Sequence, residues 1–249
     1  MLATEAKRAA RRLLRSIGFD LIRFGPQGTT LPMRLATLLP RLGIDTVVDV
    51  GAHWGEFGLL LRDSGFHGRI ISFEPASANV ERLMRVTSGD PDWLVRPEAL
   101  GRADQTLEMN VTRQTLFNSF RRPLETALEQ FPGATVQGHE AVIIRRLDAV
   151  LDECLPGTSS RVYLKLDTQG WDLEVLAGAT GCLGRIQGIQ TEVSMRPIYE
   201  GAPGYAESIT TLEGLGYTLT GLFPVAGDSF LRVVEMDCVM ARVGEMASA

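Results

Sequence analysis

From Thr46 onward, short apolar runs alternate with stretches whose apolar positions recur at helical spacing. That alternation predicts βα units building a parallel sheet. The runs with strand character cover residues 46–50, 69–73, 93–96, 106–111, 141–145, 162–166 and 186–193. Helical spacing predicts helices over 57–63, 76–86, 123–129, 147–153, 173–179 and 206–215. The chain closes with two β-rich runs, 217–223 and 233–242, separated by a turn over 224–228. They predict a hairpin that ends the sheet with its last strand antiparallel.

Upstream, a helical stretch over 33–42 ends at Gly43 and follows a Gly/Pro-punctuated link over 25–32. Before that link, Lys7, Arg8, Arg11, Arg12, Arg15 and Arg23 stand against Glu5 and Asp20, with Leu2, Ala6, Ala10, Leu13, Leu14 and Ile17 between the charges. This reads as an amphipathic basic helix, suited to capping the domain or to peripheral contact with a membrane surface or partner. The expected organisation is a basic helix and link over 1–32 and a single domain over 33–249.

Composition narrows the function. A chain of 249 residues suits one large α/β domain, and 45% hydrophobic with 22% charged residues allows a buried core in a soluble protein. The net charge of −5 is uneven: residues 1–25 carry six basic and two acidic groups, +4, which leaves −9 for the rest. That balance argues against a protein that grips nucleic acid by counterion release. Cys154, Cys182 and Cys238 lack metal-ligand spacing, so no metal is assigned. The scattered cysteines, with no apolar run of membrane-spanning length and no secretory signal, fit a cytoplasmic protein.

The most informative segment runs from Val47 to Gly58, where a buried strand enters a glycine-bearing turn and then a helix. Gly51 allows a sharp backbone turn and Gly55 a close ligand approach, so a ligand is expected over Gly51, Ala52, His53, Trp54 and Gly55. The spacing is G-x-x-x-G with Asp49 just before it, which departs from the G-x-G-x-x-G of dinucleotide loops. An acidic group there would repel phosphate and welcome an ammonium. Glu74, before Pro75 and 23 residues after Gly51, ends the second strand, where a carboxylate accepts ribose hydroxyls. A pocket for a ribose bearing a cationic amino-acid tail is a pocket for S-adenosylmethionine.

Asp49-Val50-Gly51-Ala52 through Gly55, Phe73-Glu74-Pro75, Glu98-Ala99-Leu100-Gly101, and Leu164 through Gly170 with Glu174-Val175-Leu176 and Gly178 together resemble the FkbM family of methyltransferases. The resemblance covers roughly residues 45–220. It implies a Rossmann-like class I methyltransferase fold, a mostly parallel sheet with helices on both faces, and S-adenosyl-L-methionine as cofactor. It also implies O-methylation of sugars, glycolipids or other secondary metabolites, with Ala99, Leu100 and Asp167 joining the cofactor-binding set. Two positions depart from the family: His53 stands where asparagine is usual, and Gln169 where many members have glutamate.

Methyl transfer to a hydroxyl needs alignment and a group to take the proton. Ligands in open α/β folds bind at the carboxyl ends of the strands, which selects Asp167 and Glu192 as catalytic candidates, with a Lys165–Asp167 ion pair on one face of the strand. His139, read as lying in a loop, is a third candidate base. Residues 112–138, with Asn118, Ser119, Phe117, Phe120 and Phe131, read as a lid over the acceptor, and Arg196 and Tyr199 as further residues at its mouth. The competing readings are a nucleic-acid methyltransferase, a nicotinamide-dependent oxidoreductase and a non-catalytic nucleoside-binding module. The sequence leaves self-association open.

Overall fold

A computed structural model describes residues 13–14, 30–155 and 159–243. The expected basic N-terminal helix therefore lies, except for Leu13 and Leu14, outside the described residues. Helix α1 (Leu31–Arg41) leads into β1 (Thr46–Val50), α2 (Glu56–Asp63), β2 (Arg69–Phe73), α3 (Ser77–Thr87) and β3 (Trp93–Arg96). Next come β4 (Ala99–Leu100), β5 (Gln105–Thr112), α4 (Glu125–Leu128), β6 (Val136–Arg145) and α5 (Leu147–Cys154). The remainder is β7 (Val162–Leu166), α6 (Asp172–Ala177), β8 (Ile186–Ser194), α7 (Tyr205–Gly214), β9 (Thr218–Gly227) and β10 (Val233–Ala241). Helix α1 begins two residues earlier than the spacing predicts, because Pro32 fits the first turn, where its missing N–H costs nothing.

Seven strands form one sheet in the order β3-β2-β1-β7-β8-β10-β9. The pairs from β3 to β8 are parallel, and β10 runs antiparallel to both of its neighbours. The C-terminal hairpin thus closes the sheet, with its last strand inserted between β8 and β9. The order reverses between β1 and β7, so the carboxyl ends of these strands open a crevice.

Strand alternation divides the core into two apolar layers. Val48, Val50, Leu164 and Leu166 pack with Leu147, Leu151, Val175, Leu176 and Leu212 from α5, α6 and α7. Val47, Ile70 and Tyr163 pack on the opposite face with Leu35 and Leu39 of α1, Leu61 of α2 and Leu83 of α3. Helices therefore cover both faces. Among the described residues, no helix is long and apolar enough to cross a membrane.

A smaller sheet of order β4-β6-β5 stands apart from the main one. It corrects two expectations. Strand β6 starts at Val136 rather than at residue 141, and the two-residue β4 went unforeseen. The first half of β6 carries Gln137, Gly138, His139 and Glu140, none of them buried, so its polarity imitates a loop. Cross-strand pairing with β5 from Gln105 to Thr112 makes it a strand.

At the point where the main sheet reverses, β1 and β7 approach closely. Gly51 has φ +76°, and a Cβ placed on it would lie 2.0 Å from the carbonyl oxygen of Asp167. Gly51→Ala is therefore expected to lower stability by about 3 kcal/mol or more, from left-handed strain plus a backbone clash that cannot relax cheaply. Urea unfolding measures this, and a midpoint equal to wild type would contradict the close approach.

Candidate active site

Three strand tips meet at the crevice. Strand β1 supplies the turn Gly51-Ala52-His53-Trp54, β2 supplies Glu74 and Pro75, and β7 supplies Asp167. A cavity of about 910 Å³ opens over them, lined by all seven of these residues together with Ala99 and Leu100. Glu192, at the end of β8, lines the same cavity. The sequence-derived cofactor set is thus brought together except for Asp49 and Gly55.

Glu74 is 5% exposed, and its carboxyl is held by three N–H donors. The backbone N–H of Ala76 and the side-chain amide of Asn79 donate to Oε1 at 3.0 and 3.2 Å, and the N–H of His53 donates to Oε2 at 2.8 Å. Burial still outweighs these donors and pushes its pKa up to about 7. Asn79 is oriented in turn by Trp54, whose Nε1–H donates to its Oδ1 at 3.1 Å. The Arg82 guanidinium lies 3.6 Å above the Trp54 ring, and His53 stacks on the same indole at 4.2 Å.

His53 adopts φ +48°, in the left-handed region that few non-glycine residues occupy. Here the imidazole bridges outward, with Nδ1 3.1 Å from Glu56 and Nε2 2.9 Å from Thr115 Oγ1. The second contact ties the β1 turn to the segment after β5. Thr115, Leu116, Asn118, Ser119 and Phe120 of that segment line the cavity, as the lid reading expects. Phe117 and Phe131 do not; their rings sit 5.9 Å apart, outside the lining.

Asp49 is a correction. Its side chain has no solvent exposure and lies 3.1 Å from the Lys165 ammonium, so it sits beneath the cavity floor and is not available to a ligand's ammonium. Burial raises its pKa, and Lys165 only partly offsets that. The same Lys165 lies 3.2 Å from Asp167 Oδ2 and donates to the Gly51 carbonyl at 3.3 Å, so the expected Lys165–Asp167 pair forms. Burial would lower the lysine's pKa, but the charges of Asp167 and Asp49 more than reverse this, and it stays a cation.

Gly55 is a second correction. Its missing Cβ makes room for Leu83 and Trp93, at 2.9 and 3.4 Å, and not for a ligand. His139 is a third: it faces solvent on β6 opposite Asn110 and has no place in the cavity lining. Arg196 also lies outside the lining, 3.6 Å from Asp228. Tyr199 is buried, and it reaches the site only through Gln169.

Asp167 and Glu192, the two strand-end carboxyls expected at the reacting end, both line the cavity. The Asp167 side chain is 32% exposed, opening into the cavity, although the carboxyl lies deep in the protein. Burial would raise its pKa, but Lys165 and the Gln169 amide outweigh that and hold it ionised. Glu192 has no such cation. Burial first, then the charges of Asp167, Glu235 and Asp237, raise it well above the usual carboxylate range. The sequence reading missed Phe57, Leu60, Met109 and Trp171, which also line the cavity. Only Trp171 had a visible signal, following directly on Thr168-Gln169-Gly170.

The donor set suits a nucleoside with a charged tail: a buried carboxylate at one strand tip, an apolar slot at Ala99 and Leu100, and an ionised carboxylate at the reversal point. No curated protein sequence matches the chain. Among solved structures it is similar to Aeropyrum pernix fibrillarin with natively bound S-adenosyl-L-methionine, at 14% identity and TM-score 0.46 over 79% of this chain and 66% of that one. It is also similar to an rRNA methylase from Streptococcus thermophilus, at 10% identity and TM-score 0.45 over 87% of this chain and 99% of that one. Magnesium protoporphyrin IX methyltransferase from Synechocystis PCC 6803 gives 11% identity and TM-score 0.45 over 96% of both chains. Residues 49–219, well over half of the sequence, match the methyltransferase FkbM domain. The chain belongs to the FkbM family of S-adenosylmethionine-dependent methyltransferases.

Proposed function

We propose that the chain methylates a hydroxyl group of a small molecule, such as a sugar, a glycolipid or another secondary metabolite. The observation that carries this reading is Asp167, an ionised carboxylate open to the cavity and held beside Glu192. A hydroxyl is an uncharged donor that this pair can accept. A carboxylate or phosphate acceptor would be repelled by it, and a polyphosphate chain would also oppose the net charge of −5.

When bound, S-adenosylmethionine supplies an electrophilic methyl group. Glu74 is the residue to hold its ribose, and Ala99 and Leu100 its base. Asp167 accepts the acceptor's hydroxyl hydrogen and so fixes the direction of the oxygen lone pair. An oxygen that is gaining a methyl group becomes strongly acidic, so even a carboxylate kept at low pKa by Lys165 suffices to take the proton. Thr115, Leu116, Asn118, Ser119 and Phe120 wall the cavity beside this step.

Methyl-labelled cofactor incubated with the small-molecule fraction of a cell extract, in parallel with bulk RNA and DNA, tests the acceptor class. Label in a neutral metabolite ether is expected, and label in nucleic acid would reject the reading. Asp167→Asn is expected to lower the turnover number by roughly 10²–10⁴-fold with little change in cofactor affinity. A fall in affinity with unchanged turnover would remove Asp167 from the reacting end.

Cofactor binding should depend on pH through Glu74. The free carboxyl titrates at about 7, whereas accepting ribose hydroxyls favours the ionised form. Binding therefore releases a proton at pH values below about 7, and affinity rises with pH to a plateau above it. Calorimetry in buffers of different ionisation enthalpy reads both effects. Glu74→Ala should weaken binding by at least ~1 kcal/mol and flatten the pH dependence. Unchanged affinity would contradict the ribose role.

A further inference from the structure

Gln169 lies at φ +53°, in the left-handed region that disfavours a non-glycine residue. The surroundings hold it there. Ser119 Oγ donates to its carbonyl at 2.8 Å, and Arg121 Nε donates to the next carbonyl, that of Gly170, at 2.7 Å. Its side-chain Nε2 donates to Asp167 Oδ1 at 2.9 Å and to Glu192 Oε2 at 3.2 Å, while Oε1 accepts from the Tyr199 hydroxyl at 2.7 Å. Both amide hydrogens are used. Turned over, the amide would aim its oxygen at two carboxyls, so only one orientation serves.

We propose that Gln169 is the positioning residue of the reacting end: its amide, locked by the Tyr199 hydroxyl, clamps the Asp167 and Glu192 carboxyls side by side as a single unit facing the acceptor. The purpose of that unit rests on the hydroxyl-acceptor reading, but the clamp is a property of the chain itself. Tyr199 is 2% exposed, and the Phe117 carbonyl 3.1 Å away is an alternative acceptor for its proton. The lid and the loop after β8 thus converge on one amide.

A neutral amide matters because of what faces it. Lys165 is the buried cation near Asp167, and around it crowd the carboxyls of Asp172 of α6, Glu192 of β8, and Glu235 and Asp237 of β10, each with its pKa raised, by burial first. Arg121 is directed at the Gly170 backbone. A carboxylate at position 169 would be a further negative group against the ionised Asp167 in this crowd of carboxyls, tolerated only while protonated, when it is isosteric with the amide and keeps one donor.

Thermal unfolding of the full chain as wild type, Gln169→Glu and Tyr199→Phe, from acid to mildly alkaline pH, tests the clamp. The introduced carboxyl has its folded pKa raised above the unfolded one, so its contribution is intact at acid pH and is lost as pH rises through the folded value. Gln169→Glu should melt close to wild type in acid and fall below it by roughly 5 °C or more at the alkaline end. Tyr199→Phe should show a pH-independent deficit, since it frees the amide without adding charge. In the labelled-methyl assay, Gln169→Glu should lose transfer on the alkaline side of the wild-type profile while S-adenosylhomocysteine affinity stays within about threefold, ~0.7 kcal/mol. A gap between Gln169→Glu and wild type that is absent or independent of pH would overturn the clamp. Wild-type protein that fails to bind S-adenosylhomocysteine would instead overturn the cofactor site and leave the melting comparison readable.

Discussion

One buried cation organises the sheet's reversal point. Lys165 stands between Asp49 of β1 and Asp167 at the end of β7, and also holds the Gly51 carbonyl. Removing one partner from a buried pair of this kind costs about 3–5 kcal/mol, because the other charge is left without compensation. The arrangement therefore joins the two central strand tips where the cavity opens. It also settles two charge states at once: Asp167 remains an anion facing the cavity, and Asp49 is consumed below it. Phe57 covers the ammonium, 5.5 Å from its ring centre, and keeps the group dry.

The rest of the site follows from that frame by parallel pairing. Asp49 lies in register with Ser72 on one side and Lys165 on the other, so Glu74 and Asp167 emerge two residues beyond, at the same edge of the sheet. The two carboxyls then acquire different characters from their neighbours. Glu74 has N–H donors but no cation and is pushed up to about 7, whereas Asp167 has a lysine and is held down. Glu192 has the Gln169 amide but no salt-bridged cation and is driven well up. Three acids in one cavity thus span three protonation behaviours.

The sequence carried the fold well because parallel strands covered on both faces read as unbroken apolar runs, as in 46–50 and 162–166. It also carried Glu74, whose position after a buried strand and before Pro75 has a local signature. Asp49 was misread because its partner lies more than a hundred residues away, and strand register is not a local property. Gly55 failed in the same manner, since the atoms that require a glycine belong to Leu83 and Trp93. His139 was misread because an outer strand half exposed to water loses the apolar alternation that marks a strand. The Tyr199–Gln169 contact joins a loop after β8 to a loop after β7, and nothing near either residue announces the other.

The central claim is that the tips of β1, β2 and β7 form a single S-adenosylmethionine site with the reacting end at Asp167 and Glu192. A crystal structure with S-adenosylhomocysteine tests it most directly. The ribose hydroxyls should lie on the Glu74 carboxylate, and the sulfur should face Asp167 and Glu192, with Lys165 still between Asp49 and Asp167. A ligand bound elsewhere, or one that leaves Glu74 without a hydroxyl partner, would contradict it.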